Sequence, residues 1–283
     1  MLKLKIITKI EEIKNHIHRL KNENHIISFI PTMGNLHNGH LSLIKKSQSI
    51  VSKKIVSIFI NPLQFNNTKD FDAYPRKIDK DIECLKTQNI DCLFLPDENI
   101  LDDLPIIDTL PDGFTKILCG KYRPNHFIGV YKIVLRLFNI ISPDYVFFGE
   151  KDYQQLLLIK FLIQKNKLNI KINECETIRD LNGLALSSRN NLLTQNQKKI
   201  ASSIYKLMQE YTMKSNIKHQ ILSYFEDKID KLIETEYCEV IETKDLYDIH
   251  GLDIIDSDIN FKYRLFYAGY ISGVRLIDNL SFN

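Results

Sequence analysis

The chain has 283 residues, with 38 basic and 35 acidic side chains, a formal net charge of +3, 44% hydrophobic residues and 26% charged. So nearly balanced a charge excludes a strong field for a polyanion, and the composition excludes extensive disorder. At this length the expected organisation is one large domain followed by a smaller one.

The basic clusters are only pairs, Lys45-Lys46, Lys53-Lys54 and Lys198-Lys199, without interleaved aromatics. They read as solvated faces, and no nucleic-acid partner is expected. Cys84, Cys92, Cys119, Cys175 and Cys238 form neither a CxxC pair nor an even disulfide framework, which implies a reducing compartment. The lysine-interrupted start Met1 to Thr8 runs into Glu11-Glu12, unlike a signal peptide, and no apolar run approaches the ~18 residues of a spanning helix. The expectation is a soluble cytoplasmic protein with no membrane partner.

In chain order, Ile10, Ile13, Ile17 and Leu20 recur at helical spacing, and the β-rich run Ile26 to Ile30 follows, stopped by Pro31. A second helix is expected with Leu41, Ile44 and Gln48 along one face. Ile55 to Ile60 reads as a strand buried on both faces. Then come a polar helix near 76–89, a strand at Cys92 to Leu95, a helix near 127–141, a strand at Tyr145 to Phe148 and a helix from Lys151 to Gln164. This alternation predicts an α/β fold, a Rossmann-like doubly wound parallel sheet, with chemistry in the loops after the strands. Past residue 176 the pattern becomes a polar loop, two long helices around 195–234 and strand-like stretches near 237–243, 261–268 and 273–280. The expected domains are therefore 1–176, Rossmann-like, and 177–283, a smaller α+β unit.

Pro31-Thr32-Met33-Gly34-Asn35-Leu36-His37-Asn38-Gly39-His40 spans a strand end and a helix start, where free N–H groups and the helix dipole favour a phosphate. His37 and His40 are three apart, so both imidazoles share one side of the first turn. His40 stands where a P-loop needs Lys, so the Walker reading fails. An isolated HxGH is more often two surface histidines in a turn. Further segments shift that balance: Asn61-Pro62-Leu63-Gln64-Phe65 and Phe148-Gly149-Glu150-Lys151-Asp152-Tyr153-Gln154-Gln155 fall at predicted strand ends and bring amides and a lysine. Leu186-Ser187-Ser188-Arg189-Asn190 adds hydroxyls and a guanidinium suited to polyphosphate, and Arg123 to Val130 brings another cation to a helix start. Asp81 could touch a metal from outside, but reads more simply as a solvated helix carboxylate.

With these motifs in this order, PTMGNLHNGH, NPLQF, YPR, RPNHFIGV, FGEKDYQQ, GLALSSRN and RLIDN, the chain resembles the pantothenate synthetase family from about residue 8 to Asn279. The resemblance implies an ATP-dependent ligation of pantoate to β-alanine through a pantoyl adenylate, with Mg²⁺ arriving on the nucleotide and a homodimer as the assembly. It also implies that Met33, Gly34, Asn35, Leu36, His37, Asn38, Gly39 and His40 surround ATP, with Gly149, Glu150, Lys151, Asp152, Ile178, Leu186, Ser187, Ser188 and Arg189 completing the pocket. His40 is the residue usually assigned as proton donor and His37 its companion, with Lys151 and Arg189 as catalytic cations. Gln64 and Gln155 hold pantoate, Gln64 also serves β-alanine, and the metal ligands are unknown. The chain departs from the family pattern at Asn125, where Gly is usual, at Lys132 and Asn182, and in the short stretch 97–115. Two other readings stay open: a nucleotidylyltransferase acting on a phosphorylated acceptor, and a nucleotide-binding regulator without turnover.

Overall fold

The computed structural model describes residues 4–66, 68–107, 109–213, 221–253 and 261–283. The first half alternates β1 (Lys5–Ile7), α1 (Ile10–Asn22), β2 (Ile27–Thr32), α2 (Asn38–Ser47), β3 (Lys53–Ile58), α3 (Thr68–Ala73), α4 (Ile78–Lys86) and β4 (Cys92–Phe94). It continues with α5 (Leu118–Tyr122), α6 (His126–Ile141), β5 (Tyr145–Gly149), α7 (Tyr153–Lys165) and β6 (Lys171–Cys175). α1 buries Ile13, His16, Ile17 and Leu20, one face at helical spacing. α6 is apolar almost all round because it lies within the protein, and its Phe138 meets Phe29 of β2 edge to face.

The described strands of this half form a six-stranded parallel sheet in the order β1-β4-β3-β2-β5-β6. From β2 the chain winds outward through β3 and β4, then returns to lay β5 and β6 on the other side. The strand order therefore reverses between β2 and β5, and such a reversal opens a crevice at the carboxyl ends. Pairing between those two strands is confined to Ser28 and Phe29. Pro31, with no N–H to donate, lies beyond the last pair, so the strands part there.

The second half contains α8 (Gln195–Met213), α9 (Ile221–Glu226), β7 (Ile233–Glu242), α10 (Thr243–Ile249), β8 (Tyr263–Ile271) and β9 (Val274–Phe282). β7, β8 and β9 form an antiparallel sheet, and the hairpin between β8 and β9 turns through Ser272 and Gly273, both at positive φ (49° and 77°). Ile204 and Met208 of α8 pack with Leu265, Tyr267 and Leu276 in a separate core. Leu246 and Tyr247 of α10 join the core of the parallel sheet instead.

Several expectations are corrected. β2 passes through Pro31 to Thr32, with Pro31 in register with Ser57. The buried face of α2 is Leu43, Ile44 and Ser47, while Gln48 is exposed. Lys54 is buried, its Nζ donating to Ser52 O at 3.0 Å, so that pair is no solvated face. The edge strands β1 and β6 carry no continuous apolar run and were not expected. The second long helix is short where described, Ile221–Glu226, and residues 214–220 lie outside the described residues.

Candidate active site at the β2–β5 crevice

The turn after β2 takes two left-handed residues in succession, Gly34 (φ 76°) and Asn35 (φ 49°). A Cβ on Gly34 would lie 2.9 Å from Ile58 and 3.0 Å from Asp81 Oδ2, so the position requires glycine. The turn is fastened from below. Asp81, on the first turn of α4, is 4% exposed and accepts the N–H of Asn35 and of Leu36, both at 2.8 Å. The solvated carboxylate expected from sequence is thus a buried anchor: its i, i+4 partner in the buried face of α4 is Leu85, and a buried acid needs donors.

His37 caps α2. Its Nδ1 accepts from Gly39 N at 3.1 Å, while His40 Nδ1 accepts from His37 N at 3.3 Å, and the two rings stand 4.1 Å apart. Because a backbone N–H can only donate, both Nδ1 atoms are lone-pair acceptors, and each neutral ring carries its proton on Nε2. Burial, with the Lys151 charge second, lowers the His37 pKa to about 4; burial, with His37 second, lowers that of His40 to about 3. At neutral pH the pair consists of two uncharged Nε2–H donors.

Both rings face a cavity of about 240 Å³, also lined by Met33, Gln64, Tyr74, Arg123, His126, Gly149, Lys151, Asp152, Gln155, Ile178 and Leu186 through Arg189. Gly34, Asn35 and Leu36 sit behind it as the turn that aims the histidines. Asn38 is exposed at the start of α2, and Glu150 turns away to Arg264, 3.6 Å off. Lys151 stands 3.6 Å from Asp152, and burial opposes ionisation of Asp152 while Lys151 and His126 pull its pKa below the usual value. The carbonyls of Glu150 and Lys151 accept from Asn279 Nδ2 at 2.8 and 3.0 Å, which ties the turn after β5 to β9. The RLIDN motif is therefore a brace: Asp278 also holds Arg179 through both guanidinium nitrogens.

The Ser187–Arg189 loop is docked onto the turn after β2. Ser188 Oγ donates to Asn35 O at 3.0 Å, and Asn35 Nδ2 donates back to Ser188 O at 3.4 Å. Arg189 reaches both oxygens of Asp70 on α3, at 3.2 and 3.1 Å.

Gln64 is buried, with Nε2 on Met33 Sδ at 2.9 Å and Oε1 accepting from Asn61 Nδ2 at 3.2 Å. Its carbonyl accepts from His126 Nδ1 at 2.7 Å and from Arg123 at 3.1 Å. Of the two consecutive glutamines, Gln155 faces the cavity, whereas Gln154 is spent on Cys119 N and Gly113 O. Asn125 holds φ 66° before α6, a left-handed turn that Asn tolerates where Gly is usual. No described residue of 97–115 lines the cavity, and Ile100, Leu110 and Phe114 pack into the main core. Asn61, Tyr74, Asp81 and His126 were not picked out as site residues from sequence. The NPLQF, YPR and RPNHF motifs contained three of them, but only tertiary contact shows that they face one space.

α6 approaches the Pro62–Gln64 turn so closely that a Cβ on Gly129 would lie 2.3 Å from Leu63 O. Gly129→Ala is expected to cost about 1–3 kcal/mol in urea unfolding through overpacking, and to weaken small-substrate use by shifting Gln64.

A family model described as pantoate-beta-alanine ligase matches residues 5–281. The chain belongs to that family. Similar curated proteins include the pantothenate synthetases of Carboxydothermus hydrogenoformans, 37% identical over 98% of each chain, and of Buchnera aphidicola, 40% identical over 97% of each. Among solved structures, the pantoate-beta-alanine ligase of Francisella tularensis complexed with beta-gamma ATP and beta-alanine is 37% identical, with TM-score 0.80 over 99% of this chain and 98% of that one. The pantothenate synthetase of Thermus thermophilus is 29% identical, with TM-score 0.86 over 99% and 100%.

Among the described residues of this member of the ligase family, four histidines have strongly lowered pKa values, all chiefly through burial: His37 and His250 to about 4, His40 and His126 to about 3. The unfolded chain, with histidines near ~6.5, takes up protons that the folded chain refuses as pH falls. These groups therefore contribute no pH dependence above about 6.5 and progressively destabilise the fold between there and about 3. The urea midpoint is expected to be flat from pH 8 to 7 and to fall steadily from pH 6 to 4. Substituting His250 and His126 with Gln should flatten that fall.

Proposed function

We propose that the chain condenses pantoate with β-alanine at the expense of ATP, forming pantoyl adenylate and pyrophosphate, then pantothenate and AMP. The observation that carries this reading is the pair of neutral Nε2–H donors at the start of α2, facing Gln64 and Gln155 across a cavity that Lys151 and Arg189 also line. A pantoate carboxylate oxygen attacks the α-phosphorus, and the bond to the β-phosphate oxygen breaks. Donors fixed in a partly closed site stabilise the charge that develops there. His40 and His37 donate to the phosphates, Lys151 and Arg189 neutralise the departing pyrophosphate, and Gln64 and Gln155 orient pantoate by its hydroxyls. The amine of β-alanine then attacks the acyl carbon, AMP leaves with the bonding electrons, and the nitrogen loses a proton. Burial of the adenylate keeps water from competing with the amine.

Met33, Gly39, Gly149, Asp152, Ile178 and Leu186 to Ser188 form the nucleotide pocket in this reading, with Gly34 to Leu36, Asn38 and Glu150 supporting it. The beta-gamma ATP and β-alanine bound by the Francisella tularensis ligase support both ligand classes. Among the described residues no group of three or more His, Cys, Asp or Glu side chains could hold a metal ion. No all-protein cage for Mg²⁺ is therefore present among them; in this reading magnesium comes with the nucleotide, and no step here passes through it.

A division into domains at 1–176 and 177–283, a homodimeric assembly and a cytoplasmic location complete the proposal. No helix among the described residues is long and apolar enough to cross a membrane. Incubation with ATP, Mg²⁺, pantoate and β-alanine should yield pantothenate and one AMP per turnover. Neither product appearing, or pyrophosphate released only with a phosphorylated acceptor, would overturn the reading. Light scattering giving a monomer mass would remove the dimer alone.

A further inference from the structure

Besides the cavity of the histidines, one of about 430 Å³ lies between α3, α8 and β9, and one of about 40 Å³ beside Gln154 and Gln155. Arg123, Lys151 and Asp152 line all three and so mark their junction, while His37 and His40 line the first alone.

Arg123 is unlike the arginines around it. Arg179, Arg189, Arg264 and Arg275 each have a carboxylate within ion-pair distance, from Asp278, Asp70, Glu150 and Glu236 respectively. The partners of Arg123 are neutral. It donates to Gln64 O at 3.1 Å and to His126 Nε2 at 3.4 Å, an acceptor because the ring proton sits on Nδ1 toward Gln64 O. Burial, then the charges of Arg275 and Arg189, lower its pKa. Among the described residues no carboxylate stands within ion-pair distance of this part-buried guanidinium, Asp70 acting on it only at longer range, and an anion of the right size in the open space before it would complete it.

We propose that Arg123 receives the carboxylate of the amino-acid substrate, β-alanine. The inference rests on the ligase reading above, in which two carboxylates enter the site. Pantoate's must attack phosphorus beside the histidines, and a guanidinium clamped on it would withdraw electron density from the nucleophile. β-Alanine's carboxylate takes no part in bond making, so an ion pair there leaves the amine free to react. It also makes the enzyme choose amines bearing a distant negative charge. Rejection of an analogue lacking that charge follows, because Arg123 would then be shut in beneath the ligand without an ion-pair partner.

The test separates the half-reactions. In Arg123→Gln, kcat/KM for β-alanine should fall about 30–100-fold further than pantoate-dependent ATP–pyrophosphate exchange, which needs no β-alanine and registers only the lost contact to the Gln64 carbonyl. The preference for β-alanine over β-alaninamide should collapse in the same variant, and Arg123→Lys should restore part of it. With the unaltered enzyme, propionate should compete with β-alanine and propylamine should not, a result that holds even if the variant folds poorly. Equal losses in both half-reactions, an unchanged preference for the acid, or propionate competing with pantoate would each overturn the assignment. Failure of the ligase reading would look different: no pantoate-dependent exchange in the unaltered enzyme.

Discussion

His40→Ala is expected to lower the rate of pantoate-dependent pyrophosphate exchange by about 10²–10³-fold, the usual consequence of deleting one preorganised donor at a developing charge. The ring is aimed by the N–H of His37, which holds Nδ1 and leaves Nε2–H for the nucleotide. Its pKa of about 3 means that the free enzyme presents a neutral donor throughout the working range. A bound polyphosphate favours the protonated form, so His40 gains proton affinity as the complex forms and gives it up when pyrophosphate leaves. His40→Gln places an amide N–H near the Nε2 position and should recover part of the loss; His40→Phe should recover none. Since His37 and His40 are held near 4 and 3 in the free enzyme, neither should put a step in kcat/KM for ATP between pH 6 and 8. Exchange at the unaltered rate in His40→Ala, with thermal unfolding unchanged, would remove the donor role.

Asp81→Ala should cost stability and nucleotide binding together. Its carboxylate accepts two N–H groups of the Gly34–Leu36 turn, and leaving both unmade costs about 2–4 kcal/mol. The turn holds two left-handed residues, so once unfastened it relaxes toward ordinary backbone angles and carries His37 with it. Affinity for a non-hydrolysable ATP analogue should drop about tenfold or more, in line with that strain energy being lost from preorganisation. Asp81→Asn keeps the shape but offers one acceptor, turning an NH₂ toward an N–H, and should fall between. Urea unfolding and an analogue titration read the two effects. Full affinity in Asp81→Ala would show that the turn keeps its form unaided.

The parallel sheet was legible because its inner strands are compact apolar runs and its helices repeat at 3.6 residues. The edge strands were not: β1 mixes lysine with isoleucine, and β6, Lys171 to Cys175, is polar and mostly half-exposed because one of its edges has no neighbour in the sheet. Pro31 misled for a local reason. It forbids one hydrogen bond, but a strand leaving its neighbour has no use for that bond. Asp81 misled in the opposite way, since a carboxylate four residues from a leucine on an amphipathic helix carries no sign of what lies against it. The histidine pair, Gln64, Gln155, Lys151 and the Ser187–Arg189 loop were legible as a set because each sits at a strand end or in a polar loop. Their convergence on one cavity needed the crossing from β2 to β5. Arg123 was visible only as a cation at a helix start, and its lack of a carboxylate partner is a property of the folded surroundings.

Asn279 grips the carbonyls of Glu150 and Lys151 from 128–129 positions further along the chain. The lysine turn stays unbraced until β9 has docked. The last strand of the chain thus closes a clasp on the turn after the fifth, so a break anywhere in β9 would free the carbonyls of Glu150 and Lys151 together.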